Sequence, residues 1–446
     1  MIKHANIDNL IDNFFQSATI QESTIVGGPV YTRLNLPNEL NPHYNDVIEM
    51  DDATFTTYVE KLRLYLLNLW DTESIPFCGN NNTVETVIKK LIKFKEYNVF
   101  GENVVFDNNG ETIIKGFSNY PSVINHWFPE MLDVEFSRGV KGKISPSVMQ
   151  LVKDKDEWKK QLYRQIIKNK LKTFSEDKNV RIFPALGSAL RITSGRQPAI
   201  NIRGVVCKHI YQSFFLDNAD VDEIIVWDPS MGWGSRLVSF LAATNHDKLK
   251  HIKFTYIGTD PNKKIFGQYK KLEAFWKYYI DPDCTANVEP ICCGSEVFNE
   301  TDTFKEYKGK VSLVFTSPPY FHRERYTNEE TQSYVKYPEY NLWRDGFLTS
   351  TIKNAYDVLH VDGLFNFNVA NIAYGTGKFF TIEDDSIRIA KETGFTYDTV
   401  YKMLMRSMGG RDSKENMLKM VENKSINLVN IDGRYQKYEP MFVFRK

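Results

Sequence analysis

Cysteine is scarce in this chain, five among 446 residues. Cys78, Cys207, Cys284, Cys292 and Cys293 form no C-x-x-C pair, and no histidine flanks them at zinc-ligand spacing. That excludes a disulfide-stapled secreted scaffold and a cysteine zinc site, and no other metal-binding pattern takes its place. Reduced structural thiols suit a cytoplasm, of a prokaryote or of a virus-infected host. No apolar run approaches the length of a membrane span, and no signal peptide opens the chain, so no membrane association is expected. Low-complexity tracts and internal repeats are missing too. There is no net charge to draw the whole molecule toward a polyanion, because 56 Lys and Arg balance 56 Asp and Glu. With 42% hydrophobic and 25% charged residues, the composition is that of a globular protein with a real core.

Charge is uneven locally. Fourteen Lys and Arg face five Asp and Glu between Leu151 and Ile210. Glu157 to Lys172 has the spacing of a basic amphipathic helix with Trp158, Leu162 and Ile166 on its apolar side. Helical periodicity also marks Thr56 to Trp70 and Thr83 to Tyr97. Asn98 to Phe117 has the alternation of a hairpin around Asp107-Asn108-Asn109-Gly110. Two domains are expected: an α-rich region over 1–175 and an α/β region over 176–446.

The second region is organised around E-I-I-V-W-D-P-S-M-G-W-G-S-R-L-V-S-F-L-A-A, from Glu223 to Ala243. Ile224 to Trp227 make a short strand buried on both faces, Gly232 and Gly234 turn the chain, and a helix begins at Ser235. A strand, a Gly-rich turn and a helix let a ligand touch backbone at the carboxyl edge of a parallel sheet. Further strands are expected at Phe254–Gly258, ending at Asp260; at Val288–Cys293, ending at Ser295 and Glu296; at Val311–Phe315; and at Leu364–Val369. An antiparallel hairpin from Phe395–Met405 and Glu439–Phe444 closes the sheet, with Arg406 to Tyr435 as a loop between. The fold class is α/β, Rossmann-like, doubly wound and mostly parallel.

The fourth of these strands runs directly into Thr316-Ser317-Pro318-Pro319-Tyr320. With D-P-S-M-G-W-G upstream and T-S-P-P-Y here, the chain from about Ala185 onward resembles the class I S-adenosylmethionine-dependent methyltransferases that act on exocyclic amino groups of nucleic-acid bases. The resemblance implies S-adenosylmethionine as cofactor and DNA as partner, with the target base, N4 of cytosine or N6 of adenine, flipped from the duplex. It implies cofactor contacts from Asp228, Pro229, Ser230, Gly232 and Gly234, ribose contacts from Asp260, and adenine contacts from Ser295 or Glu296. Thr193, Ser194 and Gly195 match the family's upstream cofactor element. Ser317, Pro318, Pro319 and Tyr320 correspond to its catalytic motif.

Chemistry supports that assignment. An aromatic amine is a poor nucleophile because its lone pair is delocalised into the ring. Acceptors aimed at its N–H groups, the Ser317 hydroxyl and the Pro318 carbonyl, would localise the lone pair, and two prolines would hold them in place. Tyr320 would offer a stacking face. No Pro-Cys pair occurs, which argues against methylation at the ring carbon of cytosine. Phe321 to Tyr340 is expected as a mobile flap over the target, with His322, Arg323 and Arg325 as substrate contacts. Only about twenty residues separate Ser295 from Ser317, too few for a recognition insert. Nucleic-acid contacts are therefore expected from the basic helix, through Lys159, Lys160 and Arg164. An RNA base or a protein glutamine as the methylated amine, or cofactor and nucleic-acid binding without methyl transfer, are the competing functions.

Overall fold

The computed structural model describes residues 25–28, 36–71, 83–138, 143–164, 181, 199–375, 378–405, 427–431 and 433–446. In chain order its strands are β1 (Val104–Phe106), β2 (Thr112–Ile114), β3 (Glu135–Arg138), β4 (Lys143–Ser145), β5 (Glu223–Asp228), β6 (Lys253–Thr259), β7 (Asn287–Ile291) and β8 (Val311–Thr316). Then come β9 (Glu324–Arg325), β10 (Leu359–Asn368), β11 (Ile372–Gly375), β12 (Lys378–Phe380), β13 (Thr396–Leu404), β14 (Asn427–Ile431) and β15 (Arg434–Arg445).

One large sheet carries the order β1-β2-β13-β15-β10-β8-β5-β6-β7, with β14 against β15. From β10 to β7 every pairing is parallel, and β15 lies antiparallel between β10 and β13. This is the Rossmann-like sheet expected from the sequence, including its antiparallel end. Strand β5 is apolar on both faces because both are covered. Ile224 and Val226 join a core with the helices Gly204–Asp217, Ser235–Ala243 and Phe266–Phe275. Ile225 and Trp227 face the opposite core, with the helices Thr349–Val358 and Ile382–Thr393. There Trp227 stacks on Phe298 with centroids 4.6 Å apart. The strand order reverses between β5 and β8, and such a switch point opens a crevice at the carboxyl edge.

The division expected near residue 175 falls outside the described residues. Before it, Val84 to Val134 shares the core of the parallel sheet, and β2 extends that sheet by pairing parallel with β13. The helix Val84–Lys95 ends on a buried lysine from the helix Gly204–Asp217. Lys208 Nζ donates to the carbonyls of Phe94, Lys95 and Tyr97 at 3.1, 2.6 and 2.9 Å. The ammonium suits the negative end of the helix dipole. The helices Asp52–Asp71, Val148–Lys153 and Lys155–Tyr163 build a smaller core of their own.

One expectation is corrected outright. The stretch read as a loop from Arg406 to Tyr435 contains β14 and the start of β15, paired antiparallel. An Asp-Gly pair at 432–433 is the usual two-residue hairpin signal, and Gly433 has φ +79°. The polar residues Asn427 and Asn430 hide the apolar alternation of β14.

Candidate functional site

Both motifs leave the same edge of the sheet. Trp227 of β5 lies in register with Val314 of β8, so the turn after Asp228 and the Ser-Pro-Pro-Tyr corner after Thr316 flank one crevice.

On the β5 side the chain is bound to itself. Asp228 is fully buried. Its carboxylate accepts from Arg236 Nε at 2.8 Å, the Tyr256 hydroxyl at 2.5 Å and the Ser230 amide at 3.1 Å. It is thus an internal anchor for the turn and not a free ligand, a different use from the cofactor contact expected of it. Gly232 and Gly234 take φ of +54° and +74°, the left-handed region that glycine enters without penalty. A side chain at Gly234 would collide with Phe128, whereas Gly232 has open space beside it. The β6 loop closes over this turn through the Met231 amide to the Thr259 carbonyl at 3.0 Å and the Thr259 hydroxyl to the Pro229 carbonyl at 2.8 Å.

Asp260 follows β6 directly. Its carboxylate accepts from the amides of Gly232 at 2.8 Å and Asn262 at 3.0 Å. Burial pushes its carboxyl up to about 6 against those amides, which pull it down. A buried carboxylate held by amides, with no ion pair to a cation among the described residues, has lone pairs to offer a vicinal diol. The residues here therefore fit the ribose of a nucleoside cofactor beside an open Gly-rich turn.

On the β8 side the Tyr320 hydroxyl donates to Glu439 of β15. The same hydroxyl lies 3.4 Å from Asn368 Oδ1 at the end of β10. Asn368 in turn donates to the Pro440 carbonyl at 3.0 Å, tying β10 to β15. Burial and the neighbouring carboxylate drive the Tyr320 hydroxyl well above its ordinary range. Burial likewise raises Glu439 above the usual carboxylate range. Pro318 is buried and Pro319 half-buried. Phe321 has φ +48°, which is strained for an aromatic residue. Its ring is buried against Trp343 and Phe380 at 5.8 and 5.2 Å, and that packing holds the strained turn.

The segment expected as a flap carries a short strand of its own. Its strand β9 pairs antiparallel with β3 of the N-terminal segment. This brings Tyr326 over the Gly-rich turn, with its ring 5.9 Å from that of Trp233. The Tyr326 hydroxyl donates to Glu324, whose carboxyl is raised by burial. Arg325 lies over the Tyr334 ring at 5.8 Å and, with Lys264, Asp133 and Glu329, lines a cleft of about 370 Å³. His322 packs on Phe380, and burial lowers its imidazole. Arg323 is exposed.

Other expected residues are placed elsewhere. The Ser295 hydroxyl pairs with Thr351 at 2.8 Å, and its carbonyl accepts from Asn354. Both bonds turn Ser295 toward the helix behind the sheet edge. Glu296 is held by Lys336 of the flap at 3.0 Å. Lys159 pairs with Asp52 at 3.1 Å and Lys160 with Glu157 at 2.9 Å. Arg164 is exposed at the end of that helix. The helix Lys155–Tyr163 is the described part of the basic helix expected to Lys172. Thr193, Ser194 and Gly195 lie outside the described residues. Among the described residues no group of three or more His, Cys, Asp and Glu is arranged to hold a metal, and no helix is long and apolar enough to cross a membrane.

Sequence reasoning missed Arg236, Tyr256, Asn368, Glu324 and Glu439. Only Asn368 carried a signal, an amide within the otherwise apolar run L-F-N-F-N-V. Glu439 is distant in sequence from everything it serves.

No family model matches this chain, and no curated protein matches it. Solved structures with a partial likeness include a SAM-dependent O-methyltransferase from Thermotoga maritima, 11% identical, with a TM-score of 0.28 over 53% of this chain and 64% of that one. They also include a TehB-like SAM-dependent methyltransferase from Corynebacterium glutamicum, 12% identical, TM-score 0.27, over 53% and 87%. A third is geranyl diphosphate C-methyltransferase from Streptomyces coelicolor, bound to S-adenosyl-L-homocysteine, 11% identical, TM-score 0.29, over 53% and 78%. The match thus spans just under two thirds of the Thermotoga protein's length.

Proposed function

We propose that this chain transfers a methyl group from S-adenosylmethionine to an exocyclic amino group of a DNA base, N4 of cytosine or N6 of adenine. The observation that carries the reading is the pairing of β5 with β8. It brings the Gly-rich turn and the Ser-Pro-Pro-Tyr corner to one crevice at the switch point of the sheet. Gly232, Gly234, the first amides of the helix Ser235–Ala243 and Asp260 would hold the cofactor. When bound, it supplies an electrophilic sulfonium methyl.

The protein's part is then to make the amine a nucleophile. Ser317 and the Pro318 carbonyl accept from its two N–H groups and favour the tetrahedral geometry in which the nitrogen lone pair is free. The two prolines and the packed Phe321 hold these acceptors in place before substrate arrives, which is where such a site lowers its barrier. The Tyr320 ring stands beside them. Anchored on β3, the flap brings Tyr326 above the cofactor turn and can keep water from the sulfonium. The target base must leave its stack to reach this depth.

The test is mass spectrometry of nucleosides from DNA and RNA incubated with the protein and labelled S-adenosylmethionine. Label in N4-methylcytosine or N6-methyladenine of DNA is expected. Label in RNA alone, or in neither nucleic acid, would replace this reading.

A further inference from the structure

Beside the crevice, the flap, the β6 loop and the N-terminal segment enclose the cleft of about 370 Å³, a volume in the range of small-ligand sites. Its walls carry charge of both signs. Arg325 and Glu329 come from the flap, Lys264 from the loop after β6, and Asp133 and Glu135 from β3 and the turn before it. Glu135 is committed to Gln150, whose amide donates to it at 2.6 Å. The other four make no ion pair among the described residues. Cations and carboxylates that share a cleft without closing on one another leave both kinds of group for a guest. Arg325 Nε and Glu329 Oε2 are, moreover, buried with no hydrogen-bond partner among the described residues, a state that buried polar atoms rarely keep.

The mixture of charges narrows what fits. A bare phosphate would meet the carboxylates, and a metal ion would meet a guanidinium and an ammonium. A ligand with acceptors on one edge and donors on the next suits all of them, and a flat one suits the wall where the Tyr326 ring stands. Among the nucleic-acid bases guanine has that pattern. Its N7 and O6 accept side by side, and its N1–H and 2-amino group donate side by side. Adenine and thymine alternate donors with acceptors, and cytosine offers a single donor group. The Tyr334 ring, 5.8 Å from the Arg325 guanidinium, supports the cation. Tyr326 belongs to both places, since it lines the cleft and lies 5.9 Å from Trp233 of the Gly-rich turn. Cleft and crevice therefore share a wall. Resting on the function proposed above, we propose that the cleft holds a guanine of the substrate strand beside the target base. Arg325 takes its N7 and O6 edge, and Glu329 takes its N1–H and amino edge. Lys264 and Asp133, both exposed, add one charge of each sign at the rim.

The experiment is methyl transfer to a random-sequence DNA pool, with the methylated sites sequenced, in wild type, Arg325→Met and Glu329→Met. Guanine should be enriched about tenfold or more at one fixed position beside the target, and each variant should bring that preference within about twofold. A defined duplex then carries 7-deazaguanine, which lacks the N7 acceptor, or inosine, which lacks the amino donor, at that position. Each analogue should slow the unaltered protein about tenfold, a readout that needs no variant to fold. Inosine should cost Glu329→Met nothing further, and 7-deazaguanine should cost Arg325→Met nothing further, because the partner is already gone. DNA methylation with no guanine preference, or with one that both variants keep, overturns the role of the cleft and leaves the function standing. Analogue losses that are the same in wild type and variants overturn it in favour of another reader of that base. A wild type that methylates no nucleic acid overturns both.

Discussion

The two banks of the crevice are built on opposite principles. On the β5–β6 bank the carboxylates that shape the turn are held by donors within the protein. Asp228 takes three donors, Asp260 takes two amides, and Thr259 is bound through both its hydroxyl and its carbonyl. On the β8–β10–β15 bank the structure is left under tension. Phe321 is held at positive φ, the buried Thr316 hydroxyl has no hydrogen-bond partner among the described residues, and neither has Asn366 Oδ1. Glu439 makes no ion pair with a cation among the described residues. A bank that must hold a cofactor the same way every time is best served by closed hydrogen bonds. On the function proposed above, the second bank would be the one that meets the reacting amine, since strain of this kind concentrates where chemistry is done.

The sharpest way to break the first bank is Arg236→Met. It strands a fully buried Asp228 without its cation, and such losses cost about 3–5 kcal/mol. Urea denaturation should show that loss, and a change under 1 kcal/mol would mean that Asp228 does not anchor the turn.

Next in size is Lys208→Met, which takes the donor from three helix-end carbonyls and should cost about 2–3 kcal/mol. This variant also tests a pH effect. Burial lowers the Lys208 ammonium to about 8, below its value of about 10.4 in the unfolded chain. Folded protein therefore binds fewer protons than unfolded between those values, and stability rises with pH across that window. The slope should vanish in Lys208→Met.

The smallest effect concerns the cofactor. Asp260→Asn should weaken S-adenosylmethionine binding about tenfold, roughly 1.4 kcal/mol, without unfolding the turn, because the amide can still accept from Gly232. Wild-type affinity should fall as pH drops below about 6, where Asp260 gains its proton. Calorimetry at pH 5 and 7.5 reads it directly, and equal affinities would remove Asp260 from the site.

These contrasts also explain how much was legible beforehand. The β5 turn and the five parallel strands could be read because they are continuous in sequence, with apolar runs mostly ending at Gly, Asp or Pro. The Ser-Pro-Pro-Tyr corner could be read for the same reason. Asp228 was visible but its use was not. Its partners Arg236 and Tyr256 come from the following helix and the neighbouring strand, and only the sheet register brings them together. The hydrogen bonding of Ser295 could not be read because a polar residue at a strand end looks the same whether its hydroxyl faces the crevice or, as here, Thr351. Glu439 was out of reach. It lies 119 residues from Tyr320, and their meeting depends on the antiparallel seat of β15 beside β10. The anchoring of the flap on β3 has the same origin, since two residues of β9 carry no strand pattern of their own.

The central claim is that the β8 bank performs amine methylation while the β5 bank only holds the donor. Ser317→Ala measures it most directly, by methyl transfer to DNA alongside calorimetry of S-adenosylmethionine. A fall of about 10²–10³-fold in turnover with cofactor affinity within a factor of two is the predicted result. Turnover unchanged, or cofactor affinity lost together with it, would contradict the division of labour between the two banks.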